Sequence, residues 1–346
     1  MSADCPLPQD DYPTVQLAHG GGGRLMRQLL DGLILPTLRP EGARGLHDAA
    51  YLEELPPGAQ LAFTTDSYVV RPLFFPGGDI GGLAVHGTIN DLAMAGARAL
   101  ALSVSLILEE GLSMATLRRV LGSLRQAADG AGVRVVTGDT KVVERGRADG
   151  LYINTAGIGV VPAGVCVHPD RIRPGDALLV SGDIARHGMA VLARREGLEF
   201  EAAIDSDCQP LWGTVAALLD AGIDLHCLRD PTRGGLASAL VELAREARTD
   251  LLVEEAAVPL APPVAAACEL LGIDPLHVAC EGRLVAFVPA AQANRALDVL
   301  RAAPGGAQAA LIGVVSAGSG RVTLRSPYGT DRPLDLPAGE LLPRIC

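Results

Sequence analysis

Short apolar runs rich in β-branched residues alternate with longer amphipathic stretches from residue 60 to residue 325, and the alternation breaks once. Periods near two predict strands at 60–65 (QLAFTT), 98–108, 133–138 (VRVVTG) and 151–161, with helices at 81–95 and 113–130. The prolines and glycines of VPAGVCVHPDRIRPGD (161–176) interrupt the pattern. A second round then predicts strands at 177–181, 223–228, 250–254, 283–288, 310–316 and 321–325. Helices are expected between them at 187–195, 211–221, 233–247, 262–271 and 290–302. Two layered α/β units, an α+β architecture overall, follow from this order. With 346 residues, 49% of them apolar, each unit can bury its own core. The expected division is an N-terminal segment (1–45), a first domain (46–162), a second domain (170–326) and a mobile tail (327–346).

The net charge of −11, with no block of like charges, argues against nucleic acid and against an anionic membrane surface as partners. The longest apolar run, ALALSVSLIL (99–108), is half a membrane span and reads as a buried strand. The opening residues MSADCPLPQDDYP lack a basic start and an apolar h-region, so a cytoplasmic location is expected. Seven cysteines, an odd number without a C-x-x-C pair, suggest reduced thiols rather than a disulfide or zinc framework. One of them, Cys346, ends the chain in LLPRIC. Pro333, Pro337 and Pro343 push the preceding backbone toward an extended path, and the 14 residues from Pro333 onward would span roughly 40 Å. An arm carrying a thiol and a frayed terminus with an idle one are both compatible with this stretch.

Lys141 is the one lysine among 29 basic residues, a place where a compact, shiftable ammonium is kept while arginine serves elsewhere. Asp66, Asp139 and Asp230 each follow an apolar strand run, and Asp91 and Asp48 add two more short carboxylates. Carboxylates gathered at strand ends suit Mg²⁺, which usually arrives with substrate phosphates. Each also has a local reading: Asp230 before Pro231 as a helix cap, Asp66 as a turn cap. The glycine run 20–23 before a helix, and Arg233 with Gly234 in DPTRGGLA, are phosphate-directed features; a mobile hinge would explain the run equally. Glu281 in ACEGRLV reads as a turn residue, and His187, His86 and His47 as helix-face or core histidines.

The stretches TTDSYVVRPLFFPGGDIGGLAVHGTINDLAMAGA, ILEEGL, GDTKVV, INTAG, DPTRGGLA, CEGRLV and the terminal PRIC resemble, over nearly the whole length, the HypE family of hydrogenase maturation factors. These carbamoyl dehydratases belong to the superfamily of aminoimidazole ribonucleotide synthetase, selenophosphate synthase and thiamine monophosphate kinase. The resemblance implies a homodimer joined through its N-terminal sheets, with ATP and Mg²⁺ near the interface. It implies that a carbamoyltransferase loads Cys346, that ATP drives loss of water to a thiocyanate, and that the cyano group passes to iron through further maturation proteins. Gly21, Gly22, Gly23, Thr65, Asn90, Thr140, Arg233 and Gly234 are then expected around the nucleotide, and Asp48, Asp66, Asp91, Asp139 and Asp230 around magnesium. Cys346 carries the substrate, Glu281 is the candidate base, and Lys141 positions the carbamoyl oxygen or Glu281.

Two departures from the family pattern matter. Gly22 stands where a serine is expected in the HGSGG loop, and no cysteine occupies residues 19–24, which disfavours a selenophosphate synthase. A non-catalytic carrier and a small-molecule kinase remain as rival readings. The first would survive loss of Asp66 or Asp91, and the second would survive loss of residues 343–346.

Overall fold

A computed structural model describes residues 12–21, 23–39, 52, 55–198, 200, 202–336, 342 and 345. Asp48, His47, Gly22 and Cys346, all singled out above, lie outside the described residues. The first unit contains α1 (Arg24–Leu29), α2 (Leu35–Leu38), β1 (Gln60–Tyr68), β2 (Phe74–Phe75), β3 (Gly78–Asp79), α3 (Ile80–Met94), β4 (Arg98–Glu109), α4 (Met114–Gly130), β5 (Arg134–Val143) and β6 (Leu151–Val161). Between α1 and α2 the coil widens into a π turn over Leu30–Ile34, because Pro36 has no N–H to continue the ordinary ladder.

The four long strands pair in the order β1-β6-β4-β5, antiparallel except for β4 and β5, which α4 connects in parallel. Helix α4 is amphipathic: Leu117, Val120, Leu121, Leu124 and Ala128 recur every three or four residues and face inward. Its start is capped by Ser113, whose Oγ accepts from Thr116 N at 3.0 Å. Helix α3 is apolar nearly all round and is accordingly buried on all sides, between the sheet, α4 and the second unit. Gly87 lets it approach β1 closely, since a Cβ there would meet Tyr68 Oη at 2.3 Å. These helices cover one face of the sheet. On the other face the side chains of Leu61 and Phe63 are 58% and 70% exposed.

The second unit comprises β7 (Asp176–Val180), α5 (Arg186–Glu196), α6 (Trp212–Asp220), β8 (Cys227–Arg229), α7 (Gly235–Ala247), β9 (Thr249–Glu254), α8 (Pro262–Leu271), β10 (Val285–Pro289), α9 (Ala293–Ala302), β11 (Ala310–Ala317), β12 (Val322–Arg325) and β13 (Asp331–Leu334). Its strands pair in the order β13-β12-β9-β11-β7-β10-β8. Both faces are covered, so alternate residues of β7 serve different cores: Leu178 and Val180 pack with α5, α7 and α8, Ala177 and Leu179 with α6 and α9. That is why DALLV is apolar throughout its last four residues.

Three expectations need correction. Strands β1 and β5 run past the apolar stretches, so Asp66 and Asp139 stand within strands rather than beyond them. Strand β8 begins at Cys227, not at 223. The segment from Pro333 is no free arm at its start: Pro333 lies in β13, an edge strand, where a residue without an N–H is tolerated.

Candidate active site

The candidate residues separate into two groups because β1 and β5 are opposite edges of the first sheet. On β5 side chains alternate, so Asp139 and Lys141 stand exposed on one side while Thr140 is buried on the other. Lys141 Nζ lies 3.0 Å from an Asp139 carboxylate oxygen, and this contact holds the Asp139 carboxyl below its usual range. The glycine loop belongs to this edge: a Cβ on Gly20 would meet Val142 N at 2.8 Å. Gly21 lies in the bend that follows, and Gly23 precedes α1.

The second group lies between the two units. Asp91 on α3 accepts from Thr64 Oγ1 of β1 at 2.9 Å, and Asp66 accepts from its neighbour Ser67 N at 2.7 Å. Asp230 directly follows β8; it does not cap α7, whose N-terminal neighbour is Gly234. Gly234 and Gly235 both adopt left-handed backbone (φ 73° and 63°), which explains the glycine pair in DPTRGG, and a Cβ on Gly235 would strike Leu276 O at 2.6 Å. Arg233 is mostly exposed, with its guanidinium 3.8 Å from Asp66.

Glu281 completes this group. It is 3% exposed, and its Oε1 has no hydrogen-bond partner. Burial, then the surrounding charges of Asp230, Asp207, Asp66 and Asp91, push its carboxyl well above the usual range. Burial and Asp91 likewise push Asp230 up to about 7, and burial raises Asp91. Such crowding of acids around an unpaired buried oxygen stores electrostatic cost that a cation or a transferred proton would relieve. Glu281 is held from behind: its N–H and that of Gly282 point at the Asp207 carboxylate (3.3 and 3.4 Å), and Arg283 bonds Asp183 at 2.8 Å.

Several expectations change here. Asn90 is engaged within the protein: its amide nitrogen donates to Gln209 O (3.0 Å) and Glu281 O (3.2 Å), and its Oδ1 accepts from Leu211 N (2.8 Å). It clamps the first unit to the second. Thr140 is buried beneath the sheet, and the Thr65 hydroxyl donates to Thr155 O at 2.9 Å. Asp139 cannot join a magnesium site with Asp66, Asp91 and Asp230 of the same chain, since it sits on the far edge. Among the described residues, no three His, Cys, Asp or Glu side chains are arranged to enclose a metal ion. The all-oxygen set of Asp66, Asp91 and Asp230 still fits magnesium, which takes one or two carboxylates and fills its octahedron with phosphate and water oxygens.

Near the chain end, Leu342 and Ile345 pack inward. Ile345 is 4% exposed and packs in the core of the first unit with Val191 and Ala279, while Leu342 touches the cores of both units. His187 of α5 binds the Ile345 carbonyl oxygen through Nε2 at 2.8 Å. Sequence reasoning took His187 for a core histidine; it is fully buried, and no spacing signal links residue 187 to residue 345. Burial pushes the thiols of Cys208, Cys227, Cys268 and Cys280 up, so none of these four is a ready nucleophile.

Family models match both units: AIR synthase related protein, N-terminal domain, over residues 46–161, and its C-terminal domain over 173–325. The carbamoyl dehydratase HypE of Azotobacter vinelandii is 53% identical over 334 residues, 96% of this chain and 97% of that protein. A crystal structure of the hydrogenase maturation protein HypE in complex with ATP superposes with a TM-score of 0.92 at 47% identity, covering 96% of this chain and all of that one. The HypE chain in a crystallised HypE-HypF complex matches with a TM-score of 0.78 at 45% identity, over 82% of this chain and 92% of that one. Among the described residues, no helix is long and apolar enough to cross a membrane.

Proposed function

This chain belongs to the HypE family of carbamoyl dehydratases, and on that premise we propose that it uses ATP to dehydrate a carbamoyl group on its own Cys346. The product is a thiocyanate that supplies the cyanide ligand of a [NiFe] hydrogenase iron. The observation that carries this reading is the burial of Ile345: the residue next to Cys346 packs in the same core cluster as Ala279, two residues before Glu281, with its carbonyl bonded to His187.

The chemistry follows from the groups present. A carbamoyl oxygen is a poor leaving group; its attack on the γ-phosphorus expels ADP and turns that oxygen into a phosphate ester. The nitrogen gives up one proton as the C=N bond forms. Loss of the second proton breaks the C–O bond, releases phosphate and leaves S–C≡N. A buried carboxylate with an unpartnered oxygen and raised proton affinity suits the first transfer, the departing phosphate can take the second proton, and this carboxylate is Glu281. Asp66, Asp91 and Asp230 would hold Mg²⁺, which supplies charge neutralisation at the phosphates, and Arg233 stands beside them. Burial of the reacting group would exclude water from the phosphorylated intermediate.

Lys141, Asp139 and the glycine loop lie on the other edge of the sheet. A homodimer joined through the open sheet face, with Leu61 and Phe63 at its centre, would set β5 of one copy against β1 of the other and bring both groups to one nucleotide. The relative that crystallises with HypF supports a carbamoyltransferase as the partner that loads Cys346, and the proteins that assemble the iron cyano centre would take the product. Intact-mass measurement of the carbamoylated chain tests the reading. Addition of Mg-ATP should remove one water from wild type and none from Glu281→Gln, whereas an unchanged wild-type mass counts against it.

A further inference from the structure

We propose, resting on the reading above, that His187 is a positioning residue: oriented by Ser206, it seats the chain end by donating from Nε2 to the Ile345 carbonyl. The hydrogen placement follows from the surrounding donors. Cys208 N donates to Ser206 Oγ at 3.1 Å, and Ser206 is itself fixed by its own N–H to Pro76 O at 2.9 Å. The hydroxyl hydrogen is therefore free to point at His187 Nδ1, 2.8 Å away. An imidazole that accepts at Nδ1 carries its hydrogen on Nε2, which faces Ile345 O at 2.8 Å. Phe75 packs edge-on against the ring at a centroid distance of 5.3 Å and fixes its plane. Burial favours the neutral ring that this pattern needs.

Covalent geometry makes this bond matter for Cys346. The Ile345 carbonyl belongs to the same planar peptide unit as the nitrogen and Cα of residue 346. Holding that oxygen fixes the plane from which the sulfur-bearing side chain departs. The contact is to backbone, so it is indifferent to whether the sulfur is free, carbamoylated or cyanated. His187 thus places the sulfur without taking part in the chemistry. Ser206 and Cys208 tie the seat to the segment that also carries Asp207, the carboxylate beneath Glu281.

Two variants separate a seat from simple core packing: His187→Gln keeps a donor near the Nε2 position, and His187→Leu keeps the bulk without it. Peptide-resolved alkylation of the full chain by iodoacetamide reads how accessible Cys346 is. The rate at Cys346 should rise about tenfold in His187→Leu, the effect of orphaning one buried carbonyl, and stay near wild type in His187→Gln. Dehydration of the carbamoylated chain should slow in parallel, with the KM for ATP unchanged. If His187→Leu does not fold, Ser206→Ala should raise alkylation severalfold. Equal Cys346 alkylation in wild type and in whichever of these two variants folds overturns the proposal, as does equal impairment of His187→Leu and His187→Gln. Alkylation reports the seat even in a chain with no dehydratase activity, so its outcome is independent of the function proposed above.

Discussion

Replacing Asp230 by asparagine should stabilise the protein while destroying its activity. Asp230 is buried beside Asp91, and its carboxyl rises from 3.8 to about 7. Below pH 3.8 the group is protonated in both folded and unfolded chains and contributes nothing. As pH rises, the unfolded chain ionises first, so folding loses stability until the folded carboxyl also titrates near 7; above that the full penalty persists. A difference of about three pH units corresponds to at most about 4 kcal/mol. The asparagine amide is buried in turn and returns about 1–2 kcal/mol, leaving a net gain of about 2–3 kcal/mol at alkaline pH. The assay is thermal unfolding of wild type and Asp230→Asn, without nucleotide or magnesium, near pH 4 and near pH 8.5. The variant should melt several degrees higher at the alkaline pH, and the gap should vanish or reverse at the acidic one. A variant less stable at alkaline pH, or an offset equal at both, would refute the claim that the acid cluster is held at a cost.

Lys141→Arg keeps the charge but widens it, and should slow ATP-dependent dehydration at least tenfold while carbamoylation of Cys346 proceeds normally. Asn90→Ala orphans one backbone N–H and two carbonyls across the domain junction and should cost about 2–3 kcal/mol in denaturant unfolding, with slower dehydration. Phe63→Glu on the open sheet face should shift sedimentation to a monomer and, if the nucleotide site is shared between copies, abolish turnover. Asp66→Asn should raise the magnesium concentration needed for half-maximal dehydration severalfold without changing the fold.

The repeating strands and helices were legible in the sequence because burial imposes its period on them, and α3, α4 and most strands of both sheets lie close to where the pattern puts them, β8 and the unanticipated β13 excepted. Strand β5 was cut short in the sequence reading because TGDTK is rich in residues depleted from strands; the open face of the sheet tolerates them. That misreading hid the alternation that parts Thr140 from Asp139 and Lys141. The acid cluster was legible as a list of residues but not as a place: Asp66, Asp91, Asp230 and Glu281 converge through tertiary packing that no spacing records. Asn90 is expected at the nucleotide only through the family resemblance, whereas its partners are backbone groups of the other unit. The proline-rich end read as a free arm, although Leu342 and Ile345 carry the apolar surface that draws it inward.

The most direct test follows one oxygen atom. With the carbamoyl group on Cys346 labelled with oxygen-18, single turnover with unlabelled Mg-ATP should place the heavy atom in the released inorganic phosphate. Label appearing in water, with unlabelled phosphate, would mean that the carbamoyl oxygen never attacks the nucleotide and would contradict the account.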